Sequence, residues 1–346
     1  MTPSSVGDRS AAYRSLRRVS KSAQAVRLTD GDIRALIFVT ARDLGVAHLV
    51  DGASEAPGDF FALDLSDRRT GDGADPRPLY EQLLTANPAA ETYLDCLGAI
   101  HRARLKYRHV VKTQPLPTVD QVATRSLLQY GTVDRESLRG LLAWRKWLFD
   151  LDNRAAQETG YLFERVVAGV LGGTRRSSSK SPIKRANRPG NRQVDCLKDT
   201  LAYEIKIRLT IAASGQGRWS EELSFPAEAQ RSGFEPRLVV LDPTPNPKLA
   251  ELVDAFAAAR GSAYLGADVW AHLAREAGPE MAIFLENYVR RPLADVSTAL
   301  ADPLGLPDFG VRQEAGSMRF RVGRHEWRSG RGTPDRFAAD DPLPDA

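Results

Sequence analysis

Cysteine and histidine are scarce in this chain and are not spaced as metal ligands or disulfide partners. The 346 residues include 2 cysteines, Cys96 and Cys196, which lie in unrelated contexts. The 5 histidines are scattered and form no HExxH motif. These patterns argue against a disulfide framework, a zinc knuckle and a zinc hydrolase.

Long apolar runs are also absent, and no stretch approaches the roughly 18–20 residues of a membrane-spanning helix. The first residues, 1–19, are rich in Ser and Arg and do not resemble a secretory signal. Hydrophobic residues make up 42% of the chain and charged residues 27%, which is typical of a folded protein. We therefore expect a soluble, cytoplasmic protein without membrane contact. Its net charge of +4 permits a nucleic-acid partner without requiring one.

Four segments differ in their sequence pattern. We expect a flexible basic lead over 1–27, a helical N-terminal region over 28–150, a mixed α/β core over 151–300, and a C-terminal hairpin with a disordered tail over 301–346. No strand is evident before residue 190. The helices that the periodicity predicts around the core are 119–129, 134–149, 153–171, 219–231, 248–260, 267–277 and 279–290. The predicted strands are 192–197, 202–210, 237–241 and 263–265, and the C-terminal hairpin covers about 309–327.

The sequence RQVDCLKDTLAYEIKIRLT, from Arg192, predicts two strands of a hairpin. Side chains alternate between the faces of a strand, so Glu204, Lys206 and Arg208 share one face. Ile205, Ile207 and Leu209 share the other face, and Val194 and Cys196 are expected to join them. Asp195 then lies opposite Glu204 if the loop keeps that register, at a separation of about 5 Å. Two carboxylates and an ammonium group are thus expected to meet on one patch.

This grouping suits phosphodiester hydrolysis. Two close carboxylates repel each other, and a divalent cation relieves the repulsion. Mg²⁺ prefers oxygen ligands, polarises a phosphate and activates water. Lys206 would orient that water and stabilise the charge that develops on the phosphate. By itself the spacing is a weak signal, and an ordinary ion pair between Glu204 and Lys206 on an exposed strand remains the alternative.

Asp195 followed by Glu204-Ile205-Lys206 resembles the PD-(D/E)xK nuclease signature, with Val194 in place of the proline. The resemblance covers about residues 150–265 and implies a core of a central mixed sheet flanked by helices. It also implies that Asp195 and Glu204 bind Mg²⁺, that the backbone carbonyl of Ile205 contributes, and that Lys206 is the catalytic lysine. An acidic residue of the preceding helix often lies near the metal in this superfamily. Glu164 is the first candidate for that position and Glu158 the second, although Glu164 could equally be a surface charge.

Segment 174–192 is basic and contains no acidic residue. It is a candidate clamp for DNA phosphates, although a solvated linker would have the same composition. Its basic residues are Arg175, Arg176, Lys180, Lys184, Arg185, Arg188 and Arg192. Gln216 and Arg218, in the Gly-rich loop beyond the hairpin, are further candidate DNA contacts. A second group near the C-terminus is either another phosphate-contacting surface or a charged exposed hairpin: Arg319, Arg321, Arg324 and Arg328.

The stretches EIKIRLTIAASGQGRW and VLDPTPNP are more specifically similar to the ApaLI-like restriction endonucleases. That resemblance implies a Type II enzyme that cuts both strands of a palindromic DNA site, leaves 5′-phosphates and acts as a homodimer. A methyltransferase acting on the same site would be its functional partner, with no direct contact implied. Alternatives are a repair, junction-resolving or modified-DNA nuclease of the same fold, or an inactive DNA-binding protein.

Overall fold

The computed structural model describes residues 13–14, 16–17, 26–55, 58–63, 74–207, 216–300, 308–314 and 317–329. Most of the predicted basic lead lies outside these ranges. The same holds for the predicted tail from residue 330 and for residues 208–215, which include Arg208 and Leu209.

The first half of the described chain is helical, as predicted. Its helices are α1 (Asp30–Asp43), α2 (Arg77–Ala86), α3 (Ala90–Thr113), α4 (Val119–Ala123) and α5 (Arg135–Leu171). Helix α1 begins with a capping box. The hydroxyl of Thr29 accepts a hydrogen bond from the backbone N–H of Asp32, and the Asp32 carboxylate accepts one from the Thr29 backbone.

Helix α5 replaces two predicted helices, because the expected break near residue 150 is absent. Asp150 forms an ion pair with Lys146 one turn earlier and so supports the helix instead of capping a new one. The helix begins at the N-cap Asp134 and ends at Gly172, which has a left-handed φ of 69°. Although α5 is 37 residues long, no described helix is apolar enough over a sufficient length to cross a membrane.

A five-stranded mixed sheet forms the second half, which confirms the predicted α/β class with helices on both faces. Its strands lie in chain order: β1 (Thr174–Arg176), β2 (Val194–Lys198), β3 (Leu201–Lys206), β4 (Glu235–Val240) and β5 (Ser262–Leu265). The pairs β1–β2 and β2–β3 are antiparallel, whereas β3–β4 and β4–β5 are parallel. The expectation of no strand before residue 190 was wrong, because β1 adds a short edge strand at the start of the basic segment.

Helices connect and cover these strands. They are α6 (Gln216–Arg231), α7 (Pro247–Ala258), α8 (Ala267–Glu276), α9 (Pro279–Leu285) and α10 (Arg291–Leu300). A π-helical turn, Glu286–Arg290, joins α9 to α10. The order α5, β1–β3, α6, β4, α7 places the parallel crossovers β3–α6–β4 and β4–α7–β5 in the usual connectivity of such sheets.

Both faces of the sheet are apolar, which differs from the predicted division into one apolar and one polar face. Cys196, Tyr203 and Ile205 belong to a core cluster that includes helices α1, α3 and α5. Val194 and Ala202 belong to a second cluster with α6 and α7. The prediction that Val194 and Cys196 share a layer was therefore wrong, and the register shift in the β1–β2 pairing accompanies this change. Since the first cluster spans helices and sheet, the predicted boundary at 150 falls inside a continuous core and inside α5.

The C-terminal hairpin that the sequence predicted is a three-stranded antiparallel sheet. Its strands are β6 (Phe309–Glu314), β7 (Ser317–Val322) and β8 (His325–Ser329). Met318 and Phe320 pack against Trp147 and Leu151 of α5 and against the end of α3.

Candidate active site

The turn between β2 and β3 sets the register of the candidate site. Cys196 pairs with Tyr203, and Lys198 pairs with Leu201. Asp195 lies just beyond this paired stretch, and its side chain contacts the backbone of Ile205, the neighbour of Glu204 on β3. Asp199 makes the tight turn possible with a φ of 50°, a conformation that Asp tolerates better than most residues.

Asp195 is buried and is held by the neighbouring strand. The backbone N–H of Ile205 donates a hydrogen bond to Oδ2 of Asp195 over 2.9 Å. Burial raises the pKa of Asp195 well above its usual range, and the negative charges of Glu204 and Glu164 raise it further. Lys206 and the Ile205 hydrogen bond oppose this shift without overcoming it. The carboxyl group is therefore buried beside two other carboxylates, and their negative charges favour a nearby positive charge.

Lys206 lies between two carboxylates at the end of β3. Its Nζ is 2.8 Å from Oε1 of Glu204 and 3.4 Å from Oε1 of Glu222, which projects from α6. Burial lowers the pKa of Lys206, but Glu204, Glu222 and Asp195 more than compensate and raise it above its ordinary value. The ammonium group is therefore charged throughout the physiological pH range.

Glu164 approaches the same site from α5. Its carboxylate forms an ion pair with Arg175 of β1 over 2.5 Å. Burial raises the pKa of Glu164; Arg175 opposes this, and Glu204 adds to it. The structure thus brings the first-choice acidic residue close to the site. The second choice, Glu158, forms an ion pair with Lys106 of α3 over 2.6 Å instead.

Glu222 is the site residue that the sequence analysis missed. Helix α6 was predicted, but two adjacent acids, Glu221 and Glu222, offered no way to tell which one faces the sheet. In the structure Glu221 faces the basic segment and Glu222 faces Lys206. The sequence showed that the helix after the site strands carries acidic residues. It did not show which of them faces the site.

Several arginines of the basic segment are engaged within the protein. Arg185 and Arg188 form ion pairs with Glu221, at 3.4 and 2.5 Å. Arg192 is buried, lies 3.5 Å from Glu228 and stacks over the ring of Phe225. Burial leaves Arg192 little surface for a phosphate, so its predicted role as a DNA contact is not supported.

The other predicted DNA contacts differ in exposure. Arg176, Lys180 and Lys184 are exposed, and Arg175 is half-buried through its ion pair with Glu164. Gln216 and Arg218 lie in the first turn of α6, but their side chains are outside the described part of the structure. The exposed basic side chains of segment 174–192 therefore remain the candidates for contact with DNA phosphates.

The chemistry of the donor set fits a hard divalent cation. Asp195 and Glu204 lie on paired strands. Ile205 follows Glu204 on β3, and its backbone N–H contacts Asp195. No three His, Cys, Asp or Glu side chains within the described ranges group closely enough to hold a metal by themselves. Mg²⁺ does not need such a cage, since one or two carboxylates with water and substrate oxygens suffice. Asp195, Glu204 and the Ile205 carbonyl are thus the residues that could hold it.

Comparisons with known proteins identify the family of this chain. A sequence model of the family described as ApaLI-like restriction endonuclease matches residues 78–290, from α2 to the π-helical turn. The chain is also 46% identical over 264 residues to the Type II restriction enzyme ApaLI of Acetobacter pasteurianus, covering 72% of this chain and 70% of that protein. No solved structure matches the chain significantly. The extent of both matches shows that this chain belongs to the ApaLI-like restriction endonuclease family.

Proposed function

We propose that the protein is a Mg²⁺-dependent Type II restriction endonuclease that hydrolyses phosphodiester bonds of double-stranded DNA at a specific site. The observation that carries this proposal is the close grouping of Asp195, Glu204 and Lys206 on two paired strands of a restriction endonuclease family member. We further propose that the sheet and its helices form a PD-(D/E)xK core. The order of α5, the antiparallel strands, α6 and the parallel strand β4 supports this assignment.

In this proposal Asp195, Glu204 and the carbonyl of Ile205 bind the cation. When bound, Mg²⁺ would polarise the scissile phosphate and offset the negative charge of the carboxylates. The surroundings of Asp195 support such binding, because burial raises its pKa and the nearby carboxylates of Glu204 and Glu164 raise it further. The hydrogen bond from Ile205 keeps the Asp195 carboxylate aligned with β3 before any substrate arrives.

Lys206 serves as the catalytic lysine in the same proposal. Its ammonium group remains charged, so it donates hydrogen bonds to an attacking water and to the phosphate oxygens as negative charge accumulates there. Glu204 and Glu222 hold Nζ from two elements, β3 and α6, and thereby limit its position. Glu164 adds negative charge at the edge of the site, and Arg175 holds its side chain.

Recognition of a palindromic site would require two copies of the chain related by a two-fold axis, each cutting one strand. We propose this homodimer, 5′-phosphate products, and a methyltransferase that protects the same site without contacting the enzyme. The relative's description as a Type II restriction enzyme supports the symmetric site. Light scattering of the purified protein should give twice the mass of 38.0 kDa.

Plasmid cleavage tests the central proposal. We expect discrete fragments in Mg²⁺, no fragments in EDTA, and no fragments with Lys206→Ala in Mg²⁺. Lys198→Ala is the matched control, because Lys198 lies on the same hairpin and forms an ion pair with Glu276 away from the site. Cleavage that survives in EDTA or in Lys206→Ala would contradict the proposed mechanism. Random nicking instead of discrete fragments would contradict site specificity.

A further inference from the structure

The C-terminal sheet β6–β8 has two unlike faces. Side chains alternate along each strand, and one set packs into the protein: Met318 and Phe320 lie against Trp147 of α5. The other set points away from that core. The family match ends at residue 290, so the sheet lies beyond the part of the chain that the family model describes.

Arginines are aligned across the outward face. Arg312 of β6 pairs with Arg319 of β7, which in turn pairs with Arg328 of β8. Two residues after Arg319 on β7, and therefore on the same face, Arg321 pairs with Gly310 of β6 and Glu326 of β8. Like charges directly across a sheet lower its stability. A row of three guanidinium groups therefore has a structural cost that a bound anion would offset.

Acidic residues neutralise only part of this face. Glu314 is within 3.0 Å of Arg319 and 3.5 Å of Arg328, and Glu326 lies 3.2 Å from Arg319. Arg312 and Arg321 are exposed and form no ion pair with any residue that the structure describes. The face also surrounds a hollow of about 450 Å³, which is lined by Gly310, Val311, Arg312, Arg319, Arg321 and Glu326.

We propose that this arginine face, formed by Arg312, Arg319, Arg321 and Arg328, binds the phosphate backbone of duplex DNA outside the site that is cut. The inference rests on the proposed function for its ligand. A planar guanidinium matches the geometry of phosphate oxygens, and DNA presents phosphates in a regular row. Such contacts position a protein on the duplex without reading its sequence.

Helix α5 separates the arginine face from the catalytic residues. The sheet packs at Trp147, whereas Glu164 approaches the site, and the helix rises roughly 25 Å between these residues at 1.5 Å per residue. That distance corresponds to about seven base pairs of duplex DNA at 3.4 Å per base pair. The arginine face would therefore add to DNA affinity without changing the chemical step at Lys206.

The test is the double variant Arg312→Gln/Arg321→Gln, with binding to a 30-base-pair duplex measured in EDTA between 50 and 200 mM salt. Each lost phosphate contact lowers the slope of log affinity against log salt by about 0.9, so we expect a decrease of about 1.8. In Mg²⁺, the cleavage rate at saturating DNA should remain within about twofold of wild type while KM rises. Arg312→Lys/Arg321→Lys keeps the charges and should restore most of the slope.

Arg231→Gln/Arg275→Gln is the matched control. Both residues are exposed, and they lie near the amino ends of the parallel strands, away from Lys206. The inference is overturned if the salt slope of the double variant equals that of wild type or of this control. An unchanged slope in a protein that cleaves DNA would leave an acidic protein as the remaining partner for the face. A different result would separate the two proposals. If wild type does not cleave DNA but the double variant has a reduced salt slope, the nuclease proposal is refuted and the phosphate contact is supported.

Discussion

The carboxylate of Asp195 accepts a hydrogen bond from the backbone N–H of Ile205 over 2.9 Å, so a side chain of β2 is fixed by the backbone of β3. The contact links the first carboxylate of the site to the residue between Glu204 and Lys206. Its geometry depends on the strand pairing and not on a mobile loop. The three predicted site residues are therefore held in one rigid unit, which favours precise placement of a cation and a phosphate.

Asp195→Asn should separate the structural from the chemical role of this residue. An Asn oxygen accepts the same hydrogen bond, but the buried negative charge near Glu204 and Glu164 is removed. We expect cleavage to fall by about 100-fold or more, because charge at the site is lost. The midpoint of thermal unfolding in EDTA should equal or exceed that of wild type. Plasmid cleavage and a thermal scan measure the two effects.

The control for this variant is Asp199→Asn in the turn of the same hairpin. Asn also adopts the left-handed conformation that Asp199 has, so both cleavage and the unfolding midpoint should stay close to wild type. Retained cleavage with a lowered midpoint in Asp195→Asn would mean that the carboxylate is structural.

Glu222→Gln should slow cleavage without weakening DNA binding. The carboxylate lies 3.4 Å from Lys206 Nζ and helps to position it, so we expect a rate reduction of about 10- to 100-fold, as for other supporting groups of active sites. The pKa of Lys206 should move towards its ordinary value, because Glu222 is one of the groups that raise it. Single-turnover cleavage measures the rate reduction, and duplex binding in EDTA measures the unchanged affinity; Lys206 stays charged in both assays.

The adjacent substitution Glu221→Gln is the matched control, because Glu221 forms ion pairs with Arg185 and Arg188 instead of Lys206. We expect its single-turnover rate at saturating DNA to remain near that of wild type. Equal rate reductions in the two variants would show that α6 acts on the site only through its packing.

The hairpin register could be predicted from the sequence because it depends on local rules. Alternation of side chains and a short turn predicted that Asp195 and Glu204 lie close together, and in the structure Asp195 contacts the backbone of Ile205, the neighbour of Glu204. The roles of these residues stay predictions until cleavage is measured. Local rules could not identify Glu222 as a site residue. The choice between Glu221 and Glu222 depends on how α6 is rotated against the sheet.

Long-range packing also explains the errors in the secondary structure. The sequence pattern predicted separate helices over 134–149 and 153–171, but Asp150 pairs with Lys146, and Leu151 is buried against the C-terminal sheet. The composition of the basic segment gave no hint of its ion pairs with α6. Residues distant in sequence supply those partners, so charge alone overstated the number of arginines available to DNA.

Acid should destabilise α1 through Asp32. Burial favours a higher pKa for Asp32, but hydrogen bonds from His101 and Thr29 lower it overall. A carboxyl group with a lowered folded-state pKa adds stability that is present above its ordinary pKa of 3.8 and is lost as the pH falls below that value. Asp32→Asn should therefore show a shallower loss of unfolding free energy between about pH 4 and pH 2 than wild type.

Thr29→Ala provides a comparison at neutral pH. It removes the capping hydroxyl and should cost about 1 kcal/mol of unfolding free energy. Chemical denaturation at several pH values measures both variants. Identical acid dependence in wild type and Asp32→Asn would show that Asp32 contributes nothing to acid unfolding.

The arginines of the basic segment should divide into structural and exposed groups. Arg192→Ala removes the buried cation beside Glu228 and should cost about 3–5 kcal/mol of unfolding free energy, as when one partner of a buried ion pair is lost. Arg188→Ala removes a cation that is 55% exposed, and it should cost less than about 1 kcal/mol. Urea denaturation measures both losses.

A second substitution identifies the origin of the Arg192 effect. Glu228→Gln in the Arg192→Ala background removes the charge left unpaired in the core, so it should recover part of the lost stability. Arg192→Met should also be milder than Arg192→Ala, because a methionine retains packing against Phe225. Similar losses for Arg188→Ala and Arg192→Ala would show that neither burial nor Glu228 distinguishes the two arginines, and Arg192 would again be a candidate for direct contact with DNA.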